Sequence, residues 1–279
     1  MPYVEFLRVR RIFVRFAIVI VVIVGFTLLS FYAAEMPGGS HGVSVVVGEG
    51  QGSSATSQVQ SHSLGDLLAS LSQIPIPLNG ILTIPMIVAT IFASLIATSL
   101  NRERSVLALI FTKPISRERL ALRYFLTDLA GIALAYLLVL ALAIAVPFAT
   151  LGSRVHLVAD GLSPWVAILG FGMAFMWFGV LQALTAWYRG NGGAIVGFAW
   201  PAAFVLLFLG QTDAFGPLVH GLLLVLNLIN PFAYVNGISE SGMLSYYAAL
   251  SLPVRAVLMY GIATLGCAIA IASWNRIEA

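Results

Sequence analysis

The sequence predicts an all-α membrane protein of six transmembrane helices, and three observations carry that reading. Hydrophobic residues fill 60% of the 279 positions and charged residues only 9%, where soluble domains average about 45–50% and about 25%. The apolar residues gather in runs of about 20, the length at which a helix crosses a bilayer. The few charges collect between those runs. Cys267 is the single cysteine, so neither an intrachain disulfide nor a cysteine metal cluster can form. The first apolar run is expected to stay with the chain, being too long for a signal peptide and lacking a nearby small-residue cleavage site.

One transmembrane domain is expected over residues 1–279, with spans at about 13–34, 80–100, 121–149, 164–188, 194–210 and 254–274. Ahead of them, Arg8, Arg11 and Arg15 share a helical face that Phe6, Val9, Phe13 and Phe16 largely avoid. That pattern predicts an interfacial helix on the membrane surface. Glu35 to Asn79 is rich in Gly and Ser and free of Lys and Arg, the mark of an outer loop. Its stretch 63–74 has the spacing of a short amphipathic helix. Ala89, Ala93 and Ala97 recur every four residues in span two, where a neighbouring helix can come close. Arg189-Gly-Asn-Gly-Gly reads as a tight turn between spans four and five. Pro201 is a kink position in span five. The run Leu218 to Ile229 is apolar but short and is stopped by Asn230-Pro231. It reads as a re-entrant or interfacial helix on the outer side, before the last span.

Charge sets the orientation. With both ends inside, the inner side holds Arg8, Arg10, Arg11, Arg15, Arg189, Arg276 and six residues between spans two and three; only Arg154 and Arg255 lie outside. The excess places both termini in the cytoplasm of a plasma-membrane protein. Span centres are almost without charge. Asp128 is the one acid inside a span, and it is expected either to snorkel or to pair locally, Tyr124 one turn earlier being a candidate partner. Ion-coupled carriers set acids or histidines near the midplane, whereas His41, His62, His156 and His220 all fall outside the predicted spans. HExxH does not occur, and no enzyme is expected. No metal site and no nucleic-acid partner are expected either.

The stretch Asn101 to Phe125 holds Arg102, Arg104, Arg117, Arg119, Arg123 and the only lysine, Lys113. Glu103 to Phe111 has helical spacing, Lys113-Pro114 breaks it, and Ser116 is a good N-cap for a second helix beginning at Arg117. At these residues the chain resembles the permease subunits of ABC-2 type ATP-binding-cassette transporters. That family's stretch after the second span reads like E-R-E-x-G-T-L-x-L-L-L-S-x-P-[IV]-S-R. Arg102, Glu103, Arg104, Leu107, Leu109, Lys113, Pro114, Ile115, Ser116 and Arg117 fall in matching places, while Asn101 and Ser105-Val106 depart from it. The resemblance covers under a tenth of the chain; the layout, including Asn-Pro-Phe before the last span, agrees.

The resemblance implies that this insert is a cytoplasmic coupling helix docking on a separate ATPase. Glu103 and Arg104 would be docking contacts, with Pro114 to Arg117 shaping the turn. It also implies a second permease, identical or not, and a role in export. A P-loop needs GxxxxGK[ST], and Lys113 lies between Thr112 and Pro114. ATP and magnesium would therefore sit on the partner chain, and no cofactor on this one. The alternatives are a membrane scaffold without a transport path and an ion-coupled carrier. Thr90, Ser94, Gln182 and Thr185 are the polar residues available to line an interface between two copies.

Overall fold

Glycine and alanine decide which helices touch. The computed structural model describes residues 2–35, 74–102, 117–151, 155–187, 192–210, 216–235, 247 and 250–274. In chain order these form α1 (Pro2–Glu35), β1 (Ile74–Pro77), α2 (Leu78–Arg102), α3 (Arg117–Leu151), β2 (Val155–Val158) and α4 (Ser163–Trp187). Then come α5 (Gly192–Gly210), α6 (Pro217–Leu228), α7 (Phe232–Val235) and α8 (Leu252–Trp274). Among the described residues, five helices are long and apolar enough to cross a membrane: α2, α3, α4, α5 and α8. The chain is a multi-pass membrane protein.

The axis of the bundle is α4. Of its span-length window 67% is buried inside the chain, against 11% for α5, which lies at the periphery. A Cβ on Gly179 of α4 would stand 2.4 Å from the Ala263 carbonyl oxygen of α8, and one on Gly266 would stand 2.5 Å from that of Gly179. The two backbones are therefore in direct contact, the way small residues bring membrane helices together without a hydrophobic driving force. On α2, Ala89, Ala93 and Ala97 are fully buried beside Phe92 and Ile96. Gly131 does the same for α1 and α3, since a Cβ there would meet the Val9 side chain at 2.6 Å.

One end of the bundle is closed by polar bonds. Strands β1 and β2 pair in parallel, Ile74 opposite Val155 through Pro77 opposite Val158. The prolines fall at alternate positions of β1, so their missing N–H groups can face away from the partner strand. Just beyond, Asp160 accepts the N–H groups of Leu162 and Ser163 at 2.9 Å each and caps the start of α4. The Asn79 amide donates to the same carboxylate at 2.7 Å, and the Ser163 hydroxyl bonds Asn79 at 2.9 Å. These bonds tie the start of α2 to the start of α4.

The two strands lie outside the all-α expectation. A four-residue Ile-Pro alternation and a four-residue Val-His-Leu-Val run are too short to read as a pair without the fold that brings them together. Stretch 63–74, expected as a helix, lies outside the described residues except Ile74, which is in β1. The turn at 189–191 lies outside them too. At the N-terminus the expected interfacial helix and first span are one continuous helix of 34 residues, about 50 Å long. The arginines do not bend it, because Arg8 is drawn into the bundle.

The glycine contact and the Asp160 cap each make a forecast. Gly179→Val lowers the thermal midpoint of the detergent-purified protein, with overpacking costing about 1–3 kcal/mol; Gly261→Ala, at a position with open space around it, leaves the midpoint in place. Partial desolvation works against ionisation of Asp160, but the bonds from Ser163, Leu162 and Asn79 outweigh it and hold its pKa below the ordinary 3.8. The charged cap is thus fully stabilising above the ordinary value and is lost as pH falls through the lower one. The midpoint difference between wild type and Asp160→Ala, measured against pH, closes only at the acid end.

Candidate functional site

The residues that the motif singles out sit where two helices end. Helix α2 starts beside the strand pair and α3 ends beside it, so Arg102 and Arg117 lie at the far end of the bundle. Arg102 is the last residue of α2 and Arg117 the first of α3. Glu103, Arg104, Lys113, Pro114 and Ser116 lie outside the described residues.

In that half of the bundle lies its one ion pair among the described residues. The Arg8 guanidinium donates to the Asp128 carboxylate, with side chains 4% and 0% exposed. The sequence pattern places Arg8 on a wet face with Arg11 and Arg15, and makes Tyr124 a candidate partner of Asp128. Instead Arg8 reaches into the bundle to Asp128, across 120 positions of sequence. The Tyr124 ring lies beneath the guanidinium carbon, 5.1 Å from centroid to carbon. Arg10, Arg11 and Arg15 stay exposed. A lone buried charge is far costlier than a paired one, so each residue makes the other tolerable, and together they fasten α1 to α3.

A second polar centre lies at Ser94 of α2. Its hydroxyl donates to the Thr90 carbonyl at 3.1 Å and accepts the indole N–H groups of Trp177 at 2.8 Å and Trp200 at 3.1 Å. One hydroxyl is thereby used as donor and as double acceptor, its full capacity, and it joins α2, α4 and α5. The Phe232 ring meets both indoles edge to face, at centroid distances of 6.0 and 5.5 Å, and lies tilted against Phe204 at 4.8 Å.

Phe232 arrives there because α6 turns back. The Asn227 amide donates to the Leu206 carbonyl at 2.9 Å, and the Asn230 amide to the Ala203 carbonyl at 2.8 Å. One sequence rises as the other falls, so α6 runs antiparallel to α5 and stops level with its middle. Asn230 also donates to Asn227, and its own side-chain oxygen accepts the Phe232 N–H. Arg255 then donates to the carbonyls of Leu250 and Tyr234, anchoring α7 to the first turn of α8.

Thr90, Ser94, Gln182 and Thr185, expected to line an interface between copies, are all buried within one chain. Periodicity alone does not say which side of a helix meets its own chain. Gln182 differs from the others in that its amide nitrogen has no acceptor among the described residues. His156 is exposed on β2 and His220 half-buried on α6; no group of three or more potential metal ligands occurs among the described residues. No protein-family model matches the sequence, and neither curated proteins nor solved structures give a match.

The ion pair makes a sharp forecast. Asp128→Ala or Arg8→Ala alone costs about 3–5 kcal/mol, because each strands a buried charge. Replacing both, as Arg8→Met with Asp128→Leu, recovers most of the loss in thermal midpoint. A double variant as unstable as the sum of the singles would show that the pair is not coupled.

Proposed function

We propose that this chain is the membrane-spanning permease subunit of an ABC-2 type ATP-binding-cassette transporter, working as an exporter and driven by a separate ATPase. The observation that carries the reading is the stretch from Arg102 to Arg117, in which a Glu-Arg pair, a helix breaker and a cap come in order between two long apolar helices. A loop that only fixes orientation needs positive charge and nothing more. On this reading Arg102, Glu103, Arg104, Lys113, Pro114, Ser116 and Arg117 form the coupling element.

The architecture is compatible with the six-span layout of that family. Helix α1 supplies the first span, and α2, α3, α4, α5 and α8 the others. Helix α6 has 12 residues, about 18 Å, against about 30 Å of hydrocarbon, so it enters and turns back. A second permease packs against the apolar flank formed by α5 and α6. ATP binding closes the partner's nucleotide domains, the insert moves with them, and α3, which comes directly after it, carries the motion to α1 through Asp128 and Arg8. Energy enters as the difference in ATP affinity between two states of the assembly. Both termini are cytoplasmic in this scheme, in the plasma membrane.

The test is to isolate the tagged protein from its own membrane in mild detergent and identify what comes with it. A P-loop ATPase is expected, and Glu103→Ala or Pro114→Ala weakens its recovery while the permease stays folded. Absence of an ATPase under conditions that keep such complexes intact would sink the proposal.

A further inference from the structure

The outward face of α1 carries a feature that the transport scheme leaves unused. Leu7, Arg10, Arg11, Val14 and Arg15 line one open groove. Steps of three and four residues put all five on one side of the helix, away from Val9 and Phe16, which are buried in the core. Arg10, Arg11 and Arg15 are exposed, and the ion pair found among the described residues belongs to Arg8. No Asp or Glu occurs anywhere from Phe6 to Ala34, so α1 itself offers these three guanidiniums no acid over that length.

The surface beyond the groove identifies its occupant. The same side of α1 continues as Val14, Ile18, Val21 and Val22, exposed by 45%, 57%, 58% and 63%. A basic patch running straight into an apolar stripe is the complement of an anionic amphiphile. A soluble anion has no use for the stripe, and the acidic surface of a water-soluble protein would leave it bare. Guanidinium groups hold phosphate oxygens in pairs through their fixed fork of donors. Arginines at a helix–membrane boundary also favour the anionic leaflet.

We propose that this face of α1 is a binding site for an anionic phospholipid, its phosphodiester held by Arg10, Arg11 and Arg15 and an acyl chain lying along Val14, Ile18 and Val22. The site stands apart from the bundle interior and does not depend on the transport reading. Occupancy steadies the part of α1 that Arg8 fastens to α3 from the other side.

Native mass spectrometry of the full-length protein in detergent, with phosphatidylglycerol and phosphatidylcholine offered together, tests it. Wild type retains phosphatidylglycerol preferentially. Each near-surface arginine contributes about a fivefold preference, so Arg10→Gln/Arg11→Gln/Arg15→Gln reduces the preference by about a hundredfold. The corresponding triple Lys variant keeps a preference and shows that the fold survives changes at these positions. Arg119→Gln/Arg123→Gln, which removes two exposed arginines from α3, leaves retention unchanged. Equal retention of the two lipids by wild type would overturn the proposal. So would loss of preference in the Lys or α3 variants, displacement of the lipid by inorganic phosphate, or a co-purifying protein whose release is the sole effect of the triple Gln change.

Discussion

The hydrocarbon core of a bilayer offers polar groups no water, and this bundle is arranged around that constraint. Each of its interior fastenings is a polar side chain whose partner comes from a different helix. Arg8 and Asp128 neutralise one another between α1 and α3. Ser94 takes two indole N–H groups from α4 and α5. Asn227 and Asn230 spend their amides on carbonyls of α5. Apolar side chains fill the space between, but they do not choose partners, because lipid tails are as apolar as leucine. The polar contacts and the glycine contact at Gly179 and Gly266 make the arrangement specific.

That division explains what was legible in the sequence. Helix existence and extent depend on apolar run length, so the spans at about 80–100, 121–149, 164–188, 194–210 and 254–274 lie close to α2, α3, α4, α5 and α8. The stop at Asn230-Pro231 was legible too, since the apolar run ends there at an Asn-Pro pair. Partner choice was not. Arg8, Arg11 and Arg15 share a face by spacing alone, and nothing local separates the one that turns inward from the two that remain exposed. Asp128 announced itself as an acid in an apolar run, but its partner lies 120 positions away. Ser94 and its neighbours looked equally suited to an outer interface, because a polar stripe reads the same whether the next helix belongs to the same chain or another. The strand pair escaped notice because each strand has four residues and neither pairs with a sequence neighbour.

Legibility was reversed for the coupling stretch. Its order of charge, breaker and cap is a local pattern and can be read directly, while only its flanks, Arg102 and Arg117, fall within the described helices. The connection between that stretch and the rest of the bundle runs through α3. This helix begins at Arg117, carries Tyr124 and Asp128 in its first turns and packs Gly131 against Val9. Phe125, between Tyr124 and Asp128, meets Phe178 of α4 at 6.0 Å, so the start of α3 is in contact with both α1 and α4.

The turning back of α6 at Asn230 has a consequence for how the chain sits in a membrane. A 12-residue helix with Asn227 in its last turn and Asn230 just beyond it lacks the length to cross a bilayer. The carbonyls that accept those amides, at Ala203 and Leu206, belong to α5. Those two amides therefore find these acceptors only when α5 lies alongside α6. The antiparallel pair, one arm of 19 residues and one of 12, is joined to Trp177 of α4 by the ring of Phe232, which follows the shorter arm.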